Sequence, residues 1–244
     1  MRPTLVLFDI DGTLLSAGGA SARALEAALV ETFGTAGDAT TIFDYSGKTD
    51  PQIVRELLRG AGVPDAVIEE RRGLALERYL ARLRGSLRPR DVTAKPGVLA
   101  LLERLASRPG VTLGLLTGNL EPGARLKLAP LDANRFFAFG AFGSDHEDRY
   151  RLLPVALERA RAATGVAFEG SGGVIVGDSI HDVLCGRAFG VRAVAVATGK
   201  TTPERLREAG PDALLADFSD TARSLEAILG KDAAPAVRTP RAAT

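Results

Sequence analysis

The chain has 244 residues, 45% hydrophobic and 25% charged; that suits one large globular domain or a core with a smaller companion and excludes wholesale disorder, collagen-like repeats and a disulfide scaffold. Thirty-one basic against thirty acidic residues leave a formal charge of +1, so no overall field draws the chain to nucleic acid or to an anionic membrane. A single cysteine, Cys185, fits a cytoplasmic setting, no apolar run approaches the ~18 residues of a membrane span, and Met1-Arg2-Pro3 leads straight into a short apolar run with no secretory cleavage pattern.

In chain order, Thr4 to Phe8 is an apolar run that predicts a strand buried on both faces, as in a parallel sheet. It ends abruptly at Asp9-Ile10-Asp11-Gly12-Thr13. Ser21 to Phe33 reads as a helix stopped by Gly34. Asp50-Pro51 looks like an N-cap with proline at the first helical position, followed by an apolar face of Ile53, Val54, Leu57 and Leu58. Pro64 to about Leu83 predicts a longer helix with arginines on its outer face. No strand is evident between Ser16 and Arg90. Beyond Lys95-Pro96-Gly97 the chain alternates again. Helices are expected over 98–107, 122–129, 152–164 and 182–189. Strands are expected over 111–116, 173–176 and 191–196, with short ones within 136–142 and at 213–215. Such alternation implies a parallel, right-handed α/β sheet. The tail from Lys231, mixing Ala, Pro and Arg, is expected to be disordered.

Three of the buried strands end in polar clusters: Asp9/Asp11, Thr117/Asn119 and Asp178/Asp182. Ligands of open α/β sheets bind beyond the carboxyl ends of the strands, so all three clusters should converge on one crevice. Two carboxylates two residues apart on an extended chain share a side and repel unless a cation joins them. A hard divalent ion such as Mg²⁺ with oxygen ligands does this, although a bare Asp-x-Asp-Gly also suits an acidic surface turn. Asp178 suits the N-terminus of a helix; Asp182, one turn on, is not explained by capping. Thr117-Gly118-Asn119 offers neutral donors suited to phosphoryl oxygens, and is equally a common turn composition.

On these residues the chain resembles the haloacid dehalogenase-like hydrolase superfamily. Leu7 to Leu14 is similar to its first motif in the form with two aspartates, Leu116 to Asn119 to its second, and Gly177 to Asp182 to its fourth. The resemblance covers residues 4 to about 215. It implies a Rossmann-like parallel sheet core (1–15 and 91–230) with an inserted α-helical cap (16–90), and a phosphatase acting on a small-molecule phosphate ester. Carried over by position, Asp9 is the nucleophile that forms an aspartyl-phosphate, and Asp11 protonates the leaving alkoxide and then activates water. Mg²⁺ is held by Asp9, the Asp11 main-chain carbonyl and Asp178, with Asp182 supporting the site directly or through water. Thr117, Gly118 and Asn119 bind the transferring group. Dehalogenase members lack the second aspartate, since halide release needs no acid.

The third motif departs from the family pattern, which has a lysine before a proline-containing stretch. Here Arg149-Tyr150-Arg151-Leu152-Leu153-Pro154 occupies the place. Pro154 puts Arg151 in the lysine's register; Arg149 is the neighbouring choice, and Lys127 is a rival cation on the helix after the second motif. Each also suits a solvated helix charge. Lys48, in the polar stretch Tyr45 to Asp50, is the specificity candidate in the cap. His146 and His181 are far apart and imply no zinc site. Gly170-x-Gly172-Gly173 precedes a strand and so fails as a dinucleotide fingerprint. The substrate class expected is a phosphoglycolate- or sugar-phosphate-like monoester, with a phosphosugar mutase, a 2-haloacid dehalogenase and a non-catalytic binding protein as the alternatives. A monomer or homodimer is expected.

Overall fold

A computed structural model describes residues 3–41, 45–168 and 172–230. The expectation of a disordered tail from Lys231, and Gly170 of the glycine run, lie outside the described residues. Six strands form one parallel sheet: β1 (Thr4–Phe8), β4 (Val111–Leu116), β5 (Gly140–Ala141), β6 (Gly173–Gly177), β7 (Arg192–Val196) and β8 (Ala213–Leu215), in the order β5-β4-β1-β6-β7-β8. Counting only these strands, the order is that of a doubly wound Rossmann-type sheet, and its direction of winding reverses at β1. The chain therefore has the α/β, Rossmann-like architecture expected from its alternating pattern.

The strand pattern follows from burial on both faces. Val6 and Phe8 of β1, with Val174 and Val176 of β6, pack on one side against helices α4 (Val98–Ala106), α5 (Glu121–Leu128) and α9 (Thr221–Leu229). Leu5, Leu7 and Ile175 alternate to the other side, against α6 (Leu152–Thr164) and Cys185 of α7 (Ile180–Ala188). A further small apolar cluster joins α7 and β7 to Leu206 of α8 (Pro203–Glu208). With no solvent face, successive strand residues are all apolar, which is why β1 and β6 read as unbroken runs.

Between β1 and α4 the chain leaves the sheet. A two-residue antiparallel pair, β2 (Leu15–Ser16) with β3 (Thr93–Ala94), brackets this excursion, and it holds α1 (Ala20–Phe33), α2 (Asp50–Gly60) and α3 (Asp65–Ser86). Leu25, Leu29, Ile53, Val54, Leu58, Ile68 and Tyr79 give these helices an apolar cluster of their own, which Leu120 joins from the sheet side. The N-cap of α2 is Thr49, not Asp50: the Thr49 hydroxyl accepts from Gln52 N at 3.2 Å, and Asp50 is the first helical residue. Among the described residues no helix is long and apolar enough to cross a membrane.

Candidate active site

β4, β1 and β6 are adjacent, so their carboxyl ends deliver Thr117–Asn119, Asp9–Asp11 and Asp178 to one crevice at the point where the sheet reverses. Past β1 the chain curls tightly, with Thr13, Leu14 and Leu15 N–H groups all donating to the Ile10 carbonyl. Gly12 lies at φ +91°, and a Cβ there would stand 2.4 Å from Asp178 Oδ2. The glycine is thus needed both for the left-handed turn and to admit the opposing carboxylate.

Asp9, Asp178 and Asp182 are all buried, and one carboxylate oxygen from each lies within 4.8 Å of the others. Asp182 is committed. Its Oδ2 accepts from Ser179 N at 3.0 Å and Ser179 Oγ at 2.6 Å, and its Oδ1 accepts from the Arg149 guanidinium. The Ser179–Asp182 capping box corrects the expectation that capping leaves Asp182 unexplained. Asp178 receives the Thr13 hydroxyl at 2.8 Å. Burial pushes the Asp9 carboxyl up to about 7; Arg149 opposes this, while Asp182 and Asp11 add repulsion. Burial, then repulsion from Asp9 and Asp182, also holds Asp178 well above the usual carboxylate range, with Thr13 opposing. Two acids that resist ionisation side by side are a donor set suited to a divalent cation.

Two buried cations flank these acids. Arg149 approaches Asp9 Oδ1 at 3.4 Å and the Leu116 carbonyl at 3.2 Å, and its Nε has no partner among the described residues. Burial disfavours its charge, yet Asp182 and Asp9 keep it protonated. Lys127, on α5, donates to Asp11 Oδ2 at 2.6 Å and to Asn119 Oδ1 at 2.5 Å. Burial again disfavours its charge, and Asp11, Tyr79 and Asp50 more than compensate. Asn119 Nδ2 donates to Asp11 Oδ2 at 2.7 Å and to the Thr117 hydroxyl at 2.9 Å. Asp11 is thus clamped through one oxygen. Of the three cations left open by the sequence, Arg151 is exposed, with His146 as its neighbour at 3.4 Å, while Arg149 and Lys127 line the crevice. The two arginines sit on a 3₁₀ turn, Arg149–Arg151. Two steps of such a turn rotate a side chain by about 240°, so one points in and the other out.

The segment Gly47 to Asp50 closes the crevice from the helical side. Asp50 N donates to the Gly118 carbonyl at 2.8 Å, and the Asp50 carboxylate accepts from Leu120 N at 2.9 Å. Thr49 Oγ1 donates to the Glu147 carbonyl at 2.6 Å. Gly47 sits so close to Ser179 and His181 that a Cβ would stand 2.6 Å from Ser179 Oγ. The Glu147 carboxylate pairs with Arg55 of α2, at 2.5 Å, and with Arg72 of α3. Sequence reasoning missed Asp50 and Thr13 as parts of the site. Nothing in the spacing marks Asp50, whereas Thr13 follows Gly12 directly in the motif. Lys48 does line the crevice, with its ammonium on Glu56.

The crevice opens into a cavity of about 830 Å³ between the sheet's carboxyl edge and α1 to α3. Its lining includes the acids and cations just described and, from α1 and α2, Leu25, Ile53 and Leu57 with Ser21 and Glu26.

The chain is similar to known proteins. The chain is 30% identical to the phosphoglycolate phosphatase of Agrobacterium fabrum over 95% of its own length and 97% of the relative's. It is 28% identical to phosphoglycolate phosphatase 1 of Pseudomonas aeruginosa, covering 89% of this chain and 78% of that one. Among solved structures, a haloacid dehalogenase-like hydrolase of Bacteroides fragilis superposes with a TM-score of 0.69 at 20% identity, over 89% of this chain and 99% of that one. CbbY of Rhodobacter sphaeroides, solved with phosphate, gives 0.66 at 22% identity, over 90% and 96%. Residues 6–196 match the haloacid dehalogenase-like hydrolase family, and with that span the chain belongs to it.

Proposed function

We propose that the chain is a Mg²⁺-dependent phosphatase that hydrolyses a small phosphate monoester through an aspartyl-phosphate on Asp9. The observation that carries this reading is the meeting of Asp9 and Asp11, from the turn after β1, with Asp178, from the turn after β6, and with Arg149 and Lys127 buried against them. Two relatives named phosphoglycolate phosphatase, at 30% and 28% identity, support the reaction class. Residues 16–90 act as a cap over a core formed by 1–15 and 91–230.

The Asp9 carboxylate attacks phosphorus in line, and the P–O bond to the alcohol breaks. Arg149, at 3.4 Å, orients Asp9 and counters the charge that builds on the phosphoryl oxygens. Asp11 gives the departing alkoxide its proton and then takes one from the water that attacks the phosphoryl-Asp9 phosphorus, returning Asp9 and releasing inorganic phosphate. Lys127 and Asn119 both engage Asp11 Oδ2, which leaves Oδ1 for these transfers. The Thr117 hydroxyl and the Gly118 and Asn119 backbone bind the transferred group. Asp9, the Asp11 main-chain carbonyl and Asp178 would hold Mg²⁺, which neutralises phosphoryl charge when bound. Asp182, with both oxygens engaged, serves to position Arg149.

A phosphate-release screen of metabolite monoesters with Mg²⁺, run beside Asp9→Asn, tests this. Turnover of at least one monoester, lost in a folded Asp9→Asn protein, is expected. Activity of Asp9→Asn near the wild-type level rejects the nucleophile, and release of chloride from 2-haloacids in place of phosphate rejects the reaction class.

A further inference from the structure

The acids and cations of the sheet's carboxyl edge suit the phosphoryl group. The lining that α1 and α2 contribute has a different chemistry: Leu25, Ile53 and Leu57 present apolar surface, and the acid of α1 in the lining is Glu26. Of the described residues of 16–90 that line the cavity, Lys48 is the sole lysine or arginine. Its ammonium is not free. It pairs with Glu56, a carboxylate outside the cavity lining, and Glu56 is itself fixed by Gln52 Nε2 on its other oxygen at 2.8 Å. Gln52 and Glu56 lie one turn apart on α2, so the helix holds the acceptor in place before any ligand arrives. Apart from Lys127, the lining lysines outside 16–90 are Lys95 and Lys200, which belong to the loops beside Asp178; Lys95 donates to the Thr198 carbonyl at 2.6 Å.

We infer that the substrate is the phosphate monoester of an uncharged alcohol larger than glycolate, and that Glu56 sets this preference by neutralising Lys48. The inference rests on the phosphatase reading above and names its substrate class. A carboxylate on the alcohol, as in 2-phosphoglycolate, needs a cation where the cavity offers a neutralised one. Its negative charge also approaches Glu56, and like charges brought together are strongly discriminated against. An uncharged carbon skeleton pays neither cost and covers Leu25, Ile53 and Leu57. A cavity of about 830 Å³ has room for it.

The test compares kcat/KM for 2-phosphoglycolate with that for its amide, phosphoglycolamide, which has the same shape without the charge. A second comparison sets ethyl phosphate against 3-methylbutyl phosphate. The wild type is expected to prefer the amide by about tenfold and the longer alkyl ester by about tenfold. Glu56→Gln releases Lys48. It should bring the glycolate-to-amide ratio to about one or above, chiefly through a lower KM for the glycolate, and adding Lys48→Met to Glu56→Gln should abolish the gain. A wild type that prefers the glycolate, or a ratio unmoved by Glu56→Gln, overturns the substrate class; if phosphate release is still lost in Asp9→Asn, the reaction itself stands. No phosphate release from any of the four esters overturns the substrate class, and the phosphatase reading falls with it only if the metabolite screen also releases none.

Discussion

Replacing Asp182 by asparagine separates two roles that its position allows. If the residue positions Arg149, removing its charge strips a buried guanidinium of its nearest partner. The amide can still offer its oxygen to Ser179 N and Oγ, which lie 3.0 and 2.6 Å from the carboxylate, so the helix cap survives. Its NH₂ then faces the Arg149 guanidinium, donor against donor. Arg149 keeps Asp9 at 3.4 Å and the Leu116 carbonyl at 3.2 Å, with its Nε already unpartnered among the described residues. Losing a charge-assisted bond costs about 1.5–3 kcal/mol, and breaking a buried ion pair about 3–5 kcal/mol. With Asp9 compensating in part, about 3 kcal/mol is expected. Asp182→Ala keeps the Ser179 N-cap but also loses the acceptor for Ser179 N, the other half of the capping box, and should cost about 1 kcal/mol more. Urea denaturation in the presence of a chelator measures both, provided the slope is unchanged. If Asp182 instead matters only as one more carboxylate awaiting a metal, its removal relieves repulsion with Asp9 and Asp178. Asp182→Asn would then be as stable as the wild type or more so without metal, and the positioning role would be refuted.

Two further outcomes follow from the charges in the crevice. Burial raises Asp50 to about 6 from its ordinary 3.8, with Lys127 and the Leu120 N–H opposing. A raised acid favours the folded state fully below pH 4 and loses that contribution as pH climbs through 6, a change of about 3 kcal/mol. Asp50→Asn lacks this titration, so its stability relative to wild type should rise by about that much between pH 4 and pH 8; a flat difference would contradict the burial of this carboxylate. Asp178→Asn keeps an acceptor for Thr13 but ends the repulsion with Asp9, so the chelated variant should be more stable than wild type, and Mg²⁺ should no longer raise its Tm. An undiminished Mg²⁺ shift in Asp178→Asn would remove Asp178 from the metal site.

The parts of this molecule written as continuous apolar runs are legible in its sequence, because a strand packed on both faces needs every residue apolar. β1, β4 and β6 are of this kind, and the polar clusters beyond them stand out where the apolar runs stop. Elements without a period are not legible: β2 and β3 are two residues long and exist only as partners of each other. The helices α8 and α9 went unread although Thr202-Pro203 and Asp220 supply start signals, with both side chains capping their helices. Within the site, counting back from Pro154 selected Arg151, since linear register carries no information about a 3₁₀ turn that swings Arg149 inward. The roles of Asp50 and Glu56 depend on where α2 docks. Asp50 meets the Gly118–Leu120 backbone, and Glu56 meets Lys48 eight residues earlier. Neither contact follows from residue type.

The nucleophile is tested most directly by stalling the second half of the reaction. On the proposed mechanism an Asp11→Asn variant cannot activate water, but p-nitrophenyl phosphate has a leaving group stable enough to depart without a proton. Mixed with Mg²⁺ and quenched in acid within the first turnover, the variant should release one p-nitrophenolate per chain and carry one phosphoryl group on the peptide containing Asp9. A burst with that peptide unmodified, or with the phosphoryl group on another residue, would contradict catalysis through Asp9.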